Sequence, residues 1–248
     1  MDSLKGKVVV VTGASEGIGA HLAAVLHSRG AHLSLIARNE NKLAAVATAG
    51  DLVVPGDITD DSVRLSLILK TVDRWGRIDA LINNAGLGSS HVDRPTITGA
   101  TEAQYQLLLG VNLWGPIHLC RALVPHMRQA PRSDVIMVSS VAAQSMGARM
   151  GLYAIGKAGV EALAHTLAKE ERAHGRRVNI VAPGLVDTDM GRKLMSTFGV
   201  DNIRDRDATA PFGFVCTPDD IAATIAFLCS EDGRYITNER ITVSGGGF

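Results

Sequence analysis

The sequence predicts an α/β fold: a doubly wound parallel sheet of about seven strands with helices on both faces, in a single domain covering 1–248. Three observations carry this. Short β-branched and apolar runs alternate with longer helical patterns from one end of the chain to the other. The short runs are continuously apolar rather than alternating, as strands covered on both faces must be. The chain has 248 residues, 46% of them hydrophobic and 20% charged, which is enough to close one large core.

Lys7-Val8-Val9-Val10-Val11-Thr12 is the first buried strand. Gly13-Ala14-Ser15-Glu16-Gly17-Ile18-Gly19 follows at once, and a helical pattern occupies 20–29. Glycines between a strand and a helix allow a tight turn and let backbone N–H groups approach a pyrophosphate at the helix N-terminus. The second strand, 31–37, ends in Ala37-Arg38-Asn39. Many dinucleotide folds carry an acidic residue in this neighbourhood to hold the adenosine ribose; here a cation replaces the carboxylate. A helix near 41–48 leads to the strand Leu52-Val53-Val54-Pro55. Gly56-Asp57-Ile58-Thr59-Asp60 closes that strand, and Asp60 or Asp61 caps a helix over 62–75.

The fourth strand, 78–82, ends in Asn83-Asn84-Ala85-Gly86, polar groups at a carboxyl end that suit a ligand crevice. A long helix over 102–128 carries Asn112 among leucines and valine. A buried amide needs partners, either in helix packing or at a site. A strand over 135–138 precedes Ser140, and a helix runs over 153–171. The sixth strand, 178–182, turns at Pro183-Gly184-Leu185-Val186-Asp187-Thr188. Residues 187–215 show little regular pattern beyond a short helix at 190–197. Their apolar content (Met190, Leu194, Met195, Phe198, Phe212, Phe214) predicts a substrate lid. Thr217 caps a helix over 218–230, and 240–243 is the last strand. No repeat, low-complexity tract or linker interrupts the series.

Tyr153 and Lys157 are four residues apart, so a helix stacks them on one face. A free phenol has a pKa of about 10. An ammonium one turn away favours the phenolate and lowers that value, giving a group able to exchange a proton with a substrate oxygen. Ser140, at a strand end, is positioned to hold the same oxygen.

Formal net charge is zero, so neither nucleic acid nor an anionic membrane attracts the chain in bulk. Cys120, Cys216 and Cys229 are scattered, with no metal-ligand spacing and no disulfide framework. No run reaches the roughly 18 apolar residues of a membrane span. These features predict a cytoplasmic protein without a metal.

Taken together, Thr12-Gly13-Ala14-Ser15-Glu16-Gly17-Ile18-Gly19, Asp57, Asn83-Asn84-Ala85-Gly86, Asn112, Ser140, Tyr153-x-x-x-Lys157, Asn179, Pro183-Gly184 and Thr188 resemble the short-chain dehydrogenase/reductase family, in its compact Rossmann-type branch. The resemblance covers nearly the whole chain. It implies an NAD(P)(H)-dependent oxidoreductase that interconverts a carbonyl and a secondary alcohol. It implies that Gly13, Ser15, Glu16, Gly17, Ile18 and Gly19 surround the pyrophosphate, that Asp57 and Ile58 meet adenine, and that Asn84, Ala85 and Gly86 line the ribose. Pro183, Gly184, Val186 and Thr188 pack around the nicotinamide. Tyr153 is then the acid/base, Ser140 orients the substrate oxygen, Lys157 holds the nicotinamide ribose, and Asn112 supports a proton relay. A catalytically idle dinucleotide-binding sensor or scaffold is the alternative.

Arg38 suits a 2′-phosphate, so NADP(H) is expected to be preferred, with NAD(H) possible. Glu16 occupies a slot that is often basic in NADP-using relatives and opposes that preference. The expected substrate is small, uncharged and mainly apolar, facing Leu87, Gln144, Met146, Met150, Leu185, Met190 and Leu194. Relatives pair their two long helices across a two-fold axis, which implies a homodimer or homotetramer.

Overall fold

The computed structural model describes residues 3–246, and in it strand and helix alternate throughout. β1 (Val8–Thr12), α1 (Gly17–Ser28), β2 (His32–Ala37), α2 (Glu40–Val46), β3 (Leu52–Pro55), α3 (Asp61–Trp75) and β4 (Ala80–Asn83) form the first half. α4 (Glu102–Leu109), α5 (Gly115–Met127), β5 (Ser133–Val138), α6 (Ala142–Ser145), α7 (Gly151–Glu171), β6 (Arg176–Pro183), α8 (Asp189–Ser196), α9 (Pro218–Cys229) and β7 (Arg240–Val243) complete it. The seven strands lie in the order β3-β2-β1-β4-β5-β6-β7, every pair parallel. The chain winds outward from β1 in one direction and from β4 in the other. The crevice between these two strands is therefore the topological switch point, where such sheets bind ligands.

Alternate residues of each strand feed opposite cores. Val10, Leu81, Val135, Met137 and Val178 pack with Leu67, Leu119, Leu123 and Val160 from α3, α5 and α7. Val9, Val11, Ile82, Ile136 and Val181 pack with Leu22, Leu26, Ile221 and Ile225 from α1 and α9. Both faces being covered, the strands had to be apolar throughout. Asp60 caps α3 by accepting from the Ser62 N–H at 2.8 Å. Thr217 and Asp220 form a capping box at the start of α9.

The predicted single helix over 102–128 is interrupted by a π turn at Gly110–Trp114. The segment Glu102–Met127 has the length and mean hydropathy of a membrane span, although polar residues such as Asn112, His118 and Arg121 interrupt it and no run of about 18 apolar residues occurs in it. Half of its most apolar window is nevertheless buried within this fold, where Leu108, Leu119, Leu123, Val124 and Met127 pack in the core. Helix α7 begins at Gly151, so Tyr153 stands in its first turn. The 187–215 segment is more regular than its sequence suggests. α8 is followed by a 3-10 turn at Ile203–Thr209, pinned by the buried Ile203. Cys120 and Cys229 are buried thiols and Cys216 is half-buried; all three are free.

Candidate active site

A cavity of about 850 Å³ opens at the carboxyl ends of β1, β4, β5 and β6, with α8 along one side. At one end lies the glycine turn. Gly13 has φ +64°, and a Cβ there would stand 2.8 Å from the Ala85 Cα. A Cβ on Gly19 would stand 2.1 Å from the Gly13 carbonyl oxygen. Only bare backbone lets the turn close this tightly on itself and on the β4 exit. The two are also cross-tied. The Asn84 side-chain N–H donates to the Thr12 carbonyl (2.9 Å) and the Gly13 carbonyl (3.2 Å), and the Thr12 hydroxyl accepts from the Asn84 and Ala85 N–H groups at 3.0 Å. Helix α1 begins with no side-chain cap, so the first N–H groups of the helix stay open toward the cavity wall formed by Gly17 and Ile18. A bare turn with uncapped donors fits a pyrophosphate.

Ala37, Arg38, Asp57 and Ile58 line the adjoining wall. Glu16 does not face it alone: Lys42 Nζ donates to the Glu16 carboxylate at 2.7 Å, both side chains being exposed. Lys42, from α2, was not foreseen, because nothing in its helical position marks it as reaching back across the turn. Asp57 spends one oxygen on the Thr59 N–H and hydroxyl, both at 2.8 Å, which fixes the turn after β3.

Ser140, Tyr153 and Lys157 line the opposite end. Lys157 is buried; its Nζ donates to the Val138 carbonyl at 2.7 Å and lies 5.8 Å from the centre of the Tyr153 ring. Burial pushes the lysine pKa down to about 8. Burial also pushes the Tyr153 phenol up, and the Ser140 hydroxyl pulls it back. The sequence argument, in which Lys157 sets the phenol pKa, thus gives way here to desolvation as the leading effect, with Ser140 as the opposing one.

Ser15, Asn84, Ala85, Gly86, Pro183, Gly184, Val186 and Thr188 line the cavity as well. Gly19 and Asn112 stand behind its wall. The π turn holds Asn112, whose carbonyl accepts from the Leu87 N–H and whose amide donates to the Leu87 carbonyl, both at 2.8 Å. A Cβ on Gly86 would stand 3.3 Å from both Asn112 Oδ1 and Lys157 Nζ, so these two groups converge behind Gly86.

Of the residues expected to face substrate, Leu87, Met150, Leu185, Met190 and Leu194 line the cavity. Gln144 and Met146 do not. Met146, just past the end of α6, sits in the left-handed region (φ 47°) and is 64% exposed. Ser89 and Ser90 were missed. Both are buried and line the cavity, and the Ser90 hydroxyl has no hydrogen-bond partner among the described residues. Their sequence, in a loop after Gly88, carries no periodic signal that could have singled them out.

The family profile described as enoyl-(acyl carrier protein) reductase matches residues 13–247. A short chain dehydrogenase/reductase of Aspergillus oryzae is 31% identical over 252 residues, covering 98% of this chain and 95% of that one. The L-sorbose reductase of Gluconobacter frateurii, solved with NADPH and L-sorbose, superposes with a TM-score of 0.90 at 29% identity, covering 99% of this chain and 98% of that one. The 3-ketoacyl-(acyl-carrier-protein) reductase of Brucella melitensis, solved with NADH, superposes with a TM-score of 0.89 at 26% identity over 98% of both chains. With that profile and that identity over almost its full length, the chain belongs to the short-chain dehydrogenase/reductase family of oxidoreductases.

Proposed function

We propose that this protein uses a nicotinamide dinucleotide, NADP(H) in preference to NAD(H), to interconvert a small, mainly apolar carbonyl compound and its secondary alcohol. The observation that carries the reading is the placement of Ser140, Tyr153 and Lys157 on the wall of the same cavity as the glycine turn. The oxidoreductase relatives support it over a catalytically idle binding protein.

The cofactor supplies hydride chemistry; the chain supplies position and the proton. The Tyr153 hydroxyl donates its proton to the carbonyl oxygen in reduction and the phenolate recovers one from the alcohol in oxidation. The Ser140 hydroxyl donates to the same oxygen and fixes it against the phenol. Lys157, with a pKa of about 8, exchanges protons readily near neutral pH and replenishes the phenol. Asn112 and Leu87 hold the wall behind Lys157 through their paired hydrogen bonds.

Arg38 on the adenosine side supports NADP(H), since a guanidinium suits a phosphate in both charge and geometry. The apolar wall from Leu87, Met150, Leu185, Met190 and Leu194 supports an uncharged substrate, with α8 as part of a lid over 187–215. Leu107 (45% exposed), Trp114 (53%) and Ile155 (45%) leave apolar surface on α4, the π turn and α7. Such surface supports a homodimer or homotetramer built on these helices.

The test is Tyr153→Phe, assayed with NADPH against a panel of 3-oxoesters, cyclic ketones and ketoses. Turnover should fall by about 10²–10⁴-fold with NADP⁺ affinity preserved. More than about a tenth of wild-type activity removes Tyr153 from the acid/base role.

A further inference from the structure

Behind the catalytic wall lies an ion pair that the reaction itself does not use. Glu161 is on α7, one turn beyond Lys157, and Arg240 opens the edge strand β7. Arg240 Nε donates to Glu161 Oε1 at 2.8 Å, and each side chain is only 11% exposed. A pair this sheltered recovers little net stability, because both charges have lost water. Its other contacts are what distinguish it. Glu161 Oε1 also accepts from the Ser139 hydroxyl at 2.7 Å. Arg240 also donates to the Ser140 carbonyl at 3.3 Å and to the Thr242 hydroxyl at 2.5 Å. One residue earlier, the Val138 carbonyl accepts from Lys157 at 2.7 Å. Three consecutive residues at the exit of β5 are therefore each held by a separate charged group. Two of those groups belong to one buried pair.

We infer that Glu161 and Arg240 are positioning residues for the reaction: together they fix the backbone at Ser139 and Ser140, and so the direction in which the Ser140 hydroxyl meets the substrate oxygen. The inference rests on the proposed role of Ser140. The physical reason is that Ser140 stands two residues past Val138, the end of β5, where the sheet holds it only through its neighbours: the Ser139 N–H donates to the Val181 carbonyl at 2.8 Å and the Val141 N–H to the Pro183 carbonyl at 3.0 Å, while the local turn holds Ser140 itself, its carbonyl accepting from the Ala143 N–H and its hydroxyl from the Ala142 N–H, both at 3.1 Å. Alignment of a hydroxyl with a reacting oxygen is sensitive to small displacements, and misplacement by about 1 Å costs about 10²-fold in rate. The pair adds a further restraint, from the side of α7 and β7, to these sheet and turn hydrogen bonds. The same α7 carries Tyr153 and Lys157, so the serine and the tyrosine are referenced to one rigid element.

The experiment compares Glu161→Ala, Arg240→Met and the double variant, using the fastest substrate of the carbonyl panel with NADPH. Melting temperature, kcat, KM and NADP⁺ dissociation constant are measured for each. Each single variant leaves one buried charge unpaired and should melt lower than wild type. The double variant should regain most of that loss yet keep a kcat at least tenfold below wild type, with NADP⁺ affinity within threefold. A double variant with both wild-type melting temperature and wild-type kcat shows a purely structural pair and overturns the inference. Ser139→Ala, which keeps both charges and their pairing and removes only the Ser139 hydroxyl from Glu161, covers the case in which the charged variants do not fold. It should lower kcat at least threefold with a smaller loss of melting temperature than either charged single variant, and an unchanged kcat overturns the inference as well. Ser140→Ala is run alongside: full activity in that variant overturns the role of Ser140 itself, a failure distinct from that of the pair.

Discussion

Gly19→Ala puts one methyl group into the tightest point of the glycine turn. The added Cβ would stand 2.1 Å from the Gly13 carbonyl oxygen and 2.7 Å from Asn84 Nδ2. The first obstacle is backbone, so no rotamer change relieves it. The second is the amide that ties β4 to the turn through the Thr12 and Gly13 carbonyls. Overpacking of this kind costs about 1–3 kcal/mol, and loss of one such hydrogen bond adds about 1 kcal/mol. For a chain of this size each kcal/mol lowers the melting temperature by about 2–4 °C. The variant should therefore melt roughly 5–15 °C below wild type by differential scanning calorimetry. It should also bind NADP⁺ at least tenfold more weakly, because relief of the clash moves the donors of α1. Gly50→Ala is the control, since a Cβ there meets nothing within 4 Å. A Gly19→Ala protein with wild-type melting temperature and NADP⁺ affinity refutes the view that this turn requires a bare backbone.

Lys157 gives a pH prediction with a defined sign. Its pKa falls from the ordinary 10.5 to about 8 on burial, so below pH 8 it is charged in both folded and unfolded chains and the folded state bears the cost. Above pH 8 the folded chain loses the proton first and gains stability, by about 3 kcal/mol in total as pH approaches 10.5. In urea titrations of the cofactor-free proteins, the advantage of Lys157→Met over wild type should shrink by that amount between pH 7 and 10.5; a constant difference contradicts the assignment. Ala37→Asp with Arg38→Ile should shift the ratio of kcat/KM for NADPH over NADH toward NADH by at least about tenfold, or about 1.4 kcal/mol. A wild-type enzyme already preferring NADH would show that Arg38 does not read a 2′-phosphate. Light scattering at micromolar concentration should give a mass of at least two chains, and Trp114→Glu should lower it. A monomeric wild type would mean that Leu107, Trp114 and Ile155 face water in solution.

The fold was legible because its physics is local and repetitive. Apolar runs covered on both faces, punctuated by Gly13, Gly17 and Gly19, admit few arrangements. The spacing of Tyr153 and Lys157 was legible because four residues is one helical turn. What escaped depends on contacts between distant segments. The π turn at Gly110–Trp114 has no signature in a continuous helical pattern; it coincides with the paired hydrogen bonds between Asn112 and Leu87, 25 residues apart in sequence. Lys42 reaches Glu16 across 26 residues, and Arg240 reaches Glu161 across 79. Met146 looked like a pocket residue by its apolar character alone, but it stands just past α6, 64% exposed and outside the cavity lining.

The strictly parallel sheet has a consequence for biosynthesis. β1 is paired on one side by β2, but its other side waits for β4, which begins only at Ala80. During synthesis the most apolar strand of the sheet therefore emerges with an open flank, a hazard that natural edges normally avoid. β4 in turn waits for β5, and β5 for β6, so each newly made crossover protects the strand before it. Long-range closures of this kind are slow, and N-terminal fragments present unpaired hydrogen-bonding groups to their neighbours. The cavity draws on residues from Gly13 to Met195. No nascent fragment that ends before β6 contains a complete site, so the cavity can close around a ligand only once the chain has been made through Met195.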